Sequence, residues 1–178
     1  MDDLSRELGI SKKTLYQSVE NKKDLVLQVF QNHAMQEVAA ITRIQSESSD
    51  AIDEMIEVAK YVIPTIRKIT PTVIFDMQKY YREVWQIMED FNNKEIYKFI
   101  ENNIKKGIEQ GVYREGVRPD IIAKLHVGKT MFLIDEEIFP LREYNKENLF
   151  KEHMQYHIRG IATTKGLKLF AKHFKKLV

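Results

Sequence analysis

From Asp50 to Lys68 the apolar residues Ile52, Met55, Ile56, Ala59, Val62, Ile63 and Ile66 recur at steps of three, one and three. That spacing returns a side chain to one stripe of a helix on nearly every turn, so this stretch must be helical with one face buried. Val73, Ile74, Met77, Tyr80, Tyr81, Val84, Met88 and Phe91 form a second stripe. Ile96, Phe99, Ile100, Ile104 and Ile108 form a third that stops at Gly111. No segment alternates with the period of two that a half-buried strand needs. With 7 Gly and 4 Pro in 178 residues, turn formers are too few for a sandwich or barrel. The predicted fold class is all-α, with about eight or nine helices on short connections.

Local chemistry predicts the helix ends. Asp50 is a candidate N-cap, and Thr70-Pro71 reads as an N-cap followed by proline at the first helical position. Pro64 lies inside the first stripe and predicts a kink near Tyr61. Asn92-Asn93 predicts a break. Pro119 opens a helix expected to run to Ile138, with apolar residues on more than one side, and Phe139-Pro140 ends it. Lys146 to Ile161 and Thr164 to Leu177 read as the last two helices.

The formal charge of +2 (28 Lys+Arg, 26 Asp+Glu) hides an asymmetry. No acid follows His153, while Arg159, Lys165, Lys168, Lys172, Lys175 and Lys176 do. This basic tail reads as lysines favoured at a helix C-terminus. Lys12, Lys13, Lys22 and Lys23 crowd a second window near the start. The absence of Cys excludes a disulfide scaffold, a thiolate zinc site and a cysteine nucleophile. No run approaches the roughly 18 apolar residues of a membrane span. Met1 to Arg6 is acidic where a signal peptide would be basic and then apolar, so the expected location is the cytoplasm.

Catalysis has no visible residues. Gly107, Gly111 and Gly116 follow no strand and lack phosphate-loop spacing, and no serine sits in a Gly-x-Ser-x-Gly setting. His153 and His157 stand at i and i+4, a spacing that can bind metal, but helix packing is the favoured reading. No enzyme activity, metal or cofactor is expected.

Asp2 to Phe30 reads as helix, tight turn, helix, then a long third helix. Leu4, Leu8 and Ile10 supply a buried side, and Gly9 takes a position where a left-handed backbone ends a helix. Ser11 caps a second piece, Lys12 to Gln17, with Leu15 and Val19 turned inward. Asn21 caps a helix from Lys22 to about Ile44. Two short helices joined through a glycine turn form a helix-turn-helix, whose second helix enters the major groove.

The run Asp3-Leu4-Ser5-Arg6-Glu7-Leu8-Gly9-Ile10-Ser11-Lys12-Lys13-Thr14-Leu15-Tyr16, with Asn21-Lys22-Lys23-Asp24-Leu25, resembles the DNA-binding head of the tetracycline-repressor (TetR) family. The remainder, ending in Arg159-Gly160-Ile161-Ala162-Thr163-Thr164-Lys165-Gly166, is similar in length and layout to that family's ligand-binding and dimerisation body. Residues 1–44 are then the head and connecting helix, and residues 45–178 the effector-binding and dimerisation domain. Family members begin with a further helix of roughly 20 residues that completes a three-helix head. Met1 falls where the second family helix begins, so the head is expected to be N-terminally incomplete.

The resemblance implies a ligand-responsive transcriptional regulator, a repressor released from its operator by a small apolar effector. At the DNA, Ser11 caps the recognition helix, Lys12, Tyr16 and Lys22 would contact phosphates, and Lys13, Thr14 and Gln17 lie where base edges are read. The expected effector pocket is Tyr61, Met77, Tyr80, Tyr81, Trp85, Met88, Phe91 and Phe99, although stripes at helical spacing also make a plain core. The expected homodimer interface is Ile122, Val127, Met131, Phe132, Phe150, Met154 and Ile158. The expected partners are a palindromic double-stranded DNA operator and a second copy of the chain. The alternative is a helical small-molecule or protein-binding module that does not engage DNA.

Overall fold

The computed structural model describes residues 1–175. Ten α-helices follow one another within them: α1 (Asp2–Glu7), α2 (Lys12–Leu15), α3 (Lys22–Glu47), α4 (Ala51–Lys68), α5 (Pro71–Tyr80), α6 (Arg82–Phe91), α7 (Tyr97–Glu109), α8 (Pro119–Phe132), α9 (Lys146–Ile161) and α10 (Thr164–Phe174). The one β-type contact among these residues is an isolated bridge between Tyr113 and Ala162. Lys176 and the expected helix end at Leu177 lie outside the described residues.

The caps are where side-chain chemistry puts them. Ser11 accepts from the Thr14 amide, Asn21 from Lys23 and Asp24, Asp50 from Ile52 and Asp53, and Thr70 from Val73. Pro71 and Pro119 each sit in a first helical turn, where a missing N–H costs nothing. Gly9 and Gly111 hold φ of 64° and 67°, the left-handed region that ends a helix cheaply only with glycine.

Three expected boundaries move. The stripe from Val73 to Phe91 is two helices, because Tyr81 leaves helical geometry at φ −126° and ψ 50°. Asn92-Asn93 does not break the chain. A π-helical turn over Asn92–Ile96 joins α6 to α7 by taking up an extra residue within the turn. α8 ends at Phe132 rather than Ile138, and turns carry the chain on to α9. α4 runs through Pro64 to Lys68 in one piece.

α4 is the centre of the body and packs against α3, α7, α9 and α10. Ala51, Ile52, Met55, Ile56 and Ala59 of α4 meet Phe99, Ile100 and Ile104 of α7, Met154, Ile158 and Ile161 of α9, and Phe170 of α10. Each of the large aliphatic side chains here contributes roughly 1.5–3 kcal/mol by leaving water. Tyr113 closes the layer between α7 and α9. A Cβ at Gly107 would stand 2.1 Å from the Tyr113 ring, so only glycine admits that approach. In the head, Leu15 and Val19 are buried as expected. Leu8 and Ile10, expected inside, are exposed because no described element covers them.

Candidate nucleic-acid interface and effector cavity

The turn between α1 and α3 is held by its own polar groups. Ser11 Oγ accepts from the Thr14 amide at 3.0 Å and shares a 2.8 Å hydrogen bond with the Thr14 hydroxyl. Thr14 is therefore engaged in the cap as well as lying on the outer face. Asp24 Oδ2 accepts from the Glu20 amide at 2.8 Å, and this hydrogen bond holds its carboxyl below the usual range. Gln28 Nε2 bridges Asp24 to the Ser18 carbonyl. These contacts tie the end of the second helix to the start of α3.

Ser11, Lys12, Lys13, Thr14, Tyr16, Gln17 and Lys22 are all exposed, on a short stretch around α2 and the start of α3. Lys12 Nζ lies 2.5 Å from Asp2 Oδ1, with both side chains more than half exposed. A pair so open to water is weak, and a phosphate would compete for the lysine on equal terms.

Beneath α3 lies an apolar cavity of about 180 Å³. Val58, Ala59 and Val62 of α4, Phe99 of α7, and Phe150 and Met154 of α9 make much of its wall. Of the expected pocket residues, Met88 and Phe99 line it. Met77 is buried elsewhere, Tyr80 is exposed, and Tyr81 and Phe91 are half-buried outside its wall. Trp85 lines a separate surface groove with Phe75 and Phe132, and Tyr61 another beside the end of α3. No residue of α5 lines the cavity.

The polar groups on the cavity wall carried no sequence signal. They are Glu37, Asn92, His126, Thr130 and Lys146. Burial pushes the Glu37 carboxyl above its ordinary value, and the neighbouring His33 at 3.8 Å offsets this in part. His126 packs its ring 4.6 Å from that of His153 and 4.5 Å from that of His157. Burial lowers all three, His153 to about 4 and His157 to about 3, so they stand neutral at pH 7. Among the described residues no group of three or more His, Cys, Asp or Glu is arranged to hold a metal ion. None of the described helices is long and apolar enough to cross a membrane.

No family model and no curated protein matches the chain. Solved structures do match it. The transcriptional regulator FadR from Bacillus subtilis, in complex with stearoyl-CoA, superposes with a TM-score of 0.64 at 16% identity, over 90% of this chain and 87% of that one. The fatty acid degradation regulator FadR from Bacillus halodurans gives 0.67 at 14% identity, over 88% and 82%. The TetR family transcriptional regulator PfmR from Thermus thermophilus gives 0.58 at 19% identity, over 88% and 86%. The chain has the TetR-family fold.

Within this TetR fold α8 and α9 pack on each other, and the residues expected at a dimer interface divide between two faces. Phe150, Met154 and Ile158 face inward and belong to the core, and Val127 is buried. Ile122 and Met131 are half-buried, Met131 on the cavity wall, and Phe132 is exposed. The outer face of the pair carries Ile121, Leu125, Phe132 and Tyr156, with Tyr156 67% exposed. Both sides of α8 are apolar, so periodicity alone did not say which side turns outward.

Proposed function

We propose that the protein is a ligand-responsive transcriptional repressor, a homodimer released from a palindromic operator by a small apolar effector. Residues 1–44 read the DNA, and residues 45–178 bind the effector and dimerise. The protein works in the cytoplasm, where its DNA partner lies. The observation that supports this reading is α3, a single helix of 26 residues. It carries Lys22 at the head and Glu37 on the cavity wall, about 22 Å apart along the helix.

A ligand that displaces Glu37 therefore displaces the head as well. Half-sites on a duplex repeat at about 34–36 Å, so a shift of a few ångströms at each head spoils simultaneous docking. The dimer brings two heads together through the outer face of α8 and α9, where Ile121, Leu125, Phe132 and Tyr156 leave apolar surface in water.

The test is selection from a random duplex pool with the full chain. An enriched palindrome, its half-sites about one turn apart and its affinity falling steeply with salt, supports the reading. Binding that ignores sequence overturns it and leaves the DNA-independent binding module.

A further inference from the structure

Lys146 breaks two rules at once. It is 7% exposed, and it occupies the first turn of α9, where the helix dipole disfavours a cation. Its ammonium has three donors. One reaches the Ile69 carbonyl at 3.3 Å, and Glu136 Oε1 stands 3.8 Å away. No other hydrogen bond or ion pair of Lys146 joins these among the described residues. Burial lowers its pKa, with Glu136 offsetting only part of the effect. Glu136 is its one counter-charge and stands too far off to accept a hydrogen bond, so a buried ammonium with donors still unmet marks a place that can accept an anion.

Its position says what kind of anion. Lys146 and Ile69 line both the apolar cavity and a polar surface groove of about 490 Å³. Lys146 thus stands where an apolar space meets a polar one. The other charges of that groove are already matched: Arg67 on Glu147, which also holds Lys151 outside the groove, and Arg142 on Glu143. Inside the cavity the one carboxyl is Glu37, with His33 3.8 Å away along its own helix. His126, also on the wall, keeps a buried Nδ1 with no hydrogen-bond partner. An apolar cavity of about 150 Å³ holds a benzene, so 180 Å³ holds an apolar body of about six carbons.

We propose that the effector is a small amphipathic acid, with its apolar body among Val58, Val62, Phe99 and Met154 and its carboxylate on the Lys146 ammonium where the two spaces meet. The proposal rests on the cavity being the effector site, and it adds the charge and size of the ligand. A larger polar extension beyond the carboxylate would lie in the outer groove, in water.

The test is calorimetric titration of the full chain at pH 7 with hexanoate, 1-hexanol and hexylamine, which share one apolar body. Hexanoate should bind at least tenfold more tightly than hexanol, with hexylamine weakest. Lys146→Met should bind hexanol as before and hexanoate no better than hexanol, whereas Lys146→Arg should keep the preference. Retained hexanol binding also shows that the Met variant is folded. The preference in the unaltered protein should fade as pH rises and the ammonium loses its proton, earlier than for an exposed lysine. Equal binding of hexanoate and hexanol overturns this proposal and leaves the effector site standing, and so does a preference for hexylamine, which would point to Glu37. Binding of none of the three overturns the cavity as effector site together with the proposal.

Discussion

Asn103 Nδ2 donates to Glu54 Oε1 at 3.0 Å, deep between α7 and α4, while Lys106 Nζ meets the other oxygen of that carboxylate at 2.6 Å. Glu54 is 1% exposed, and both of its carboxylate oxygens are met. Asn103 also donates to the Ala51 carbonyl and accepts from the Tyr113 hydroxyl. One amide thereby ties the first turn of α4 to the turn that precedes α8. Asn103→Leu leaves several buried groups unmet at about 1–3 kcal/mol for each. Urea unfolding should show a lower midpoint at unchanged slope. Lys106→Met should also be costly. Lys105→Met, which removes only the exposed i,i+4 pair with Glu101, should change stability by less than about 0.5 kcal/mol.

The three buried histidines make the fold acid-sensitive. An unfolded histidine titrates near 6.5, whereas burial holds His153 at about 4 and His157 at about 3 in the folded chain, with His126 also lowered. Between those values the unfolded state binds the proton and the folded state does not. The stabilisation is complete above about pH 6.5 and is lost as pH falls toward about 3, each group adding up to about 1.4 kcal/mol per pH unit of slope. Unfolding free energies measured from pH 7 to pH 4 should fall steeply. His157→Gln should flatten that slope, and an unchanged slope would show that the folded imidazole takes up its proton as readily as the unfolded one.

The outer face of α8 and α9 predicts the oligomeric state. Leu125→Glu with Phe132→Glu puts two charges on surface that is exposed in the single chain, so the fold should be kept. The mass by light scattering should fall from twice 21.0 kDa to 21.0 kDa, with circular dichroism unchanged. A charged residue at Met154 would be uninformative, because that side chain lies in the core and on the cavity wall.

What the sequence made legible was the chemistry that acts within one turn. Ser11, Asn21, Asp50 and Thr70 cap their helices because a short side-chain oxygen reaches an amide two or three residues on, whatever lies elsewhere. The break at Tyr81 and the π-helical turn at Asn92–Ile96 interrupt regular helix without interrupting the apolar stripe, which reads straight through both. The cavity followed from neither. Lys146, Glu37 and His126 are ordinary polar residues until the fold buries them side by side with Phe99 and Met154. The recognition turn was readable for the opposite reason: its contacts are local.

Those local contacts make the DNA interface separable by mutation. Lys22→Ala should weaken binding to every duplex and reduce the slope of log affinity against log salt by about 0.9, the signature of one phosphate contact. Gln17→Ala should cost about 1–3 kcal/mol at one base pair and leave the salt slope alone, since a glutamine reads base edges without releasing a counterion. Asp2 offers a third arm. Its carboxylate holds Lys12 at 2.5 Å on the outer face of the head, so it competes with a phosphate for that lysine. Asp2→Asn should therefore raise affinity for all duplexes alike, with the gain shrinking as salt rises. Fluorescence anisotropy of an operator and a scrambled duplex across a salt series reads all three effects. A Lys22 variant that loses affinity for the operator but not for the scrambled duplex would show that this lysine reads sequence rather than backbone.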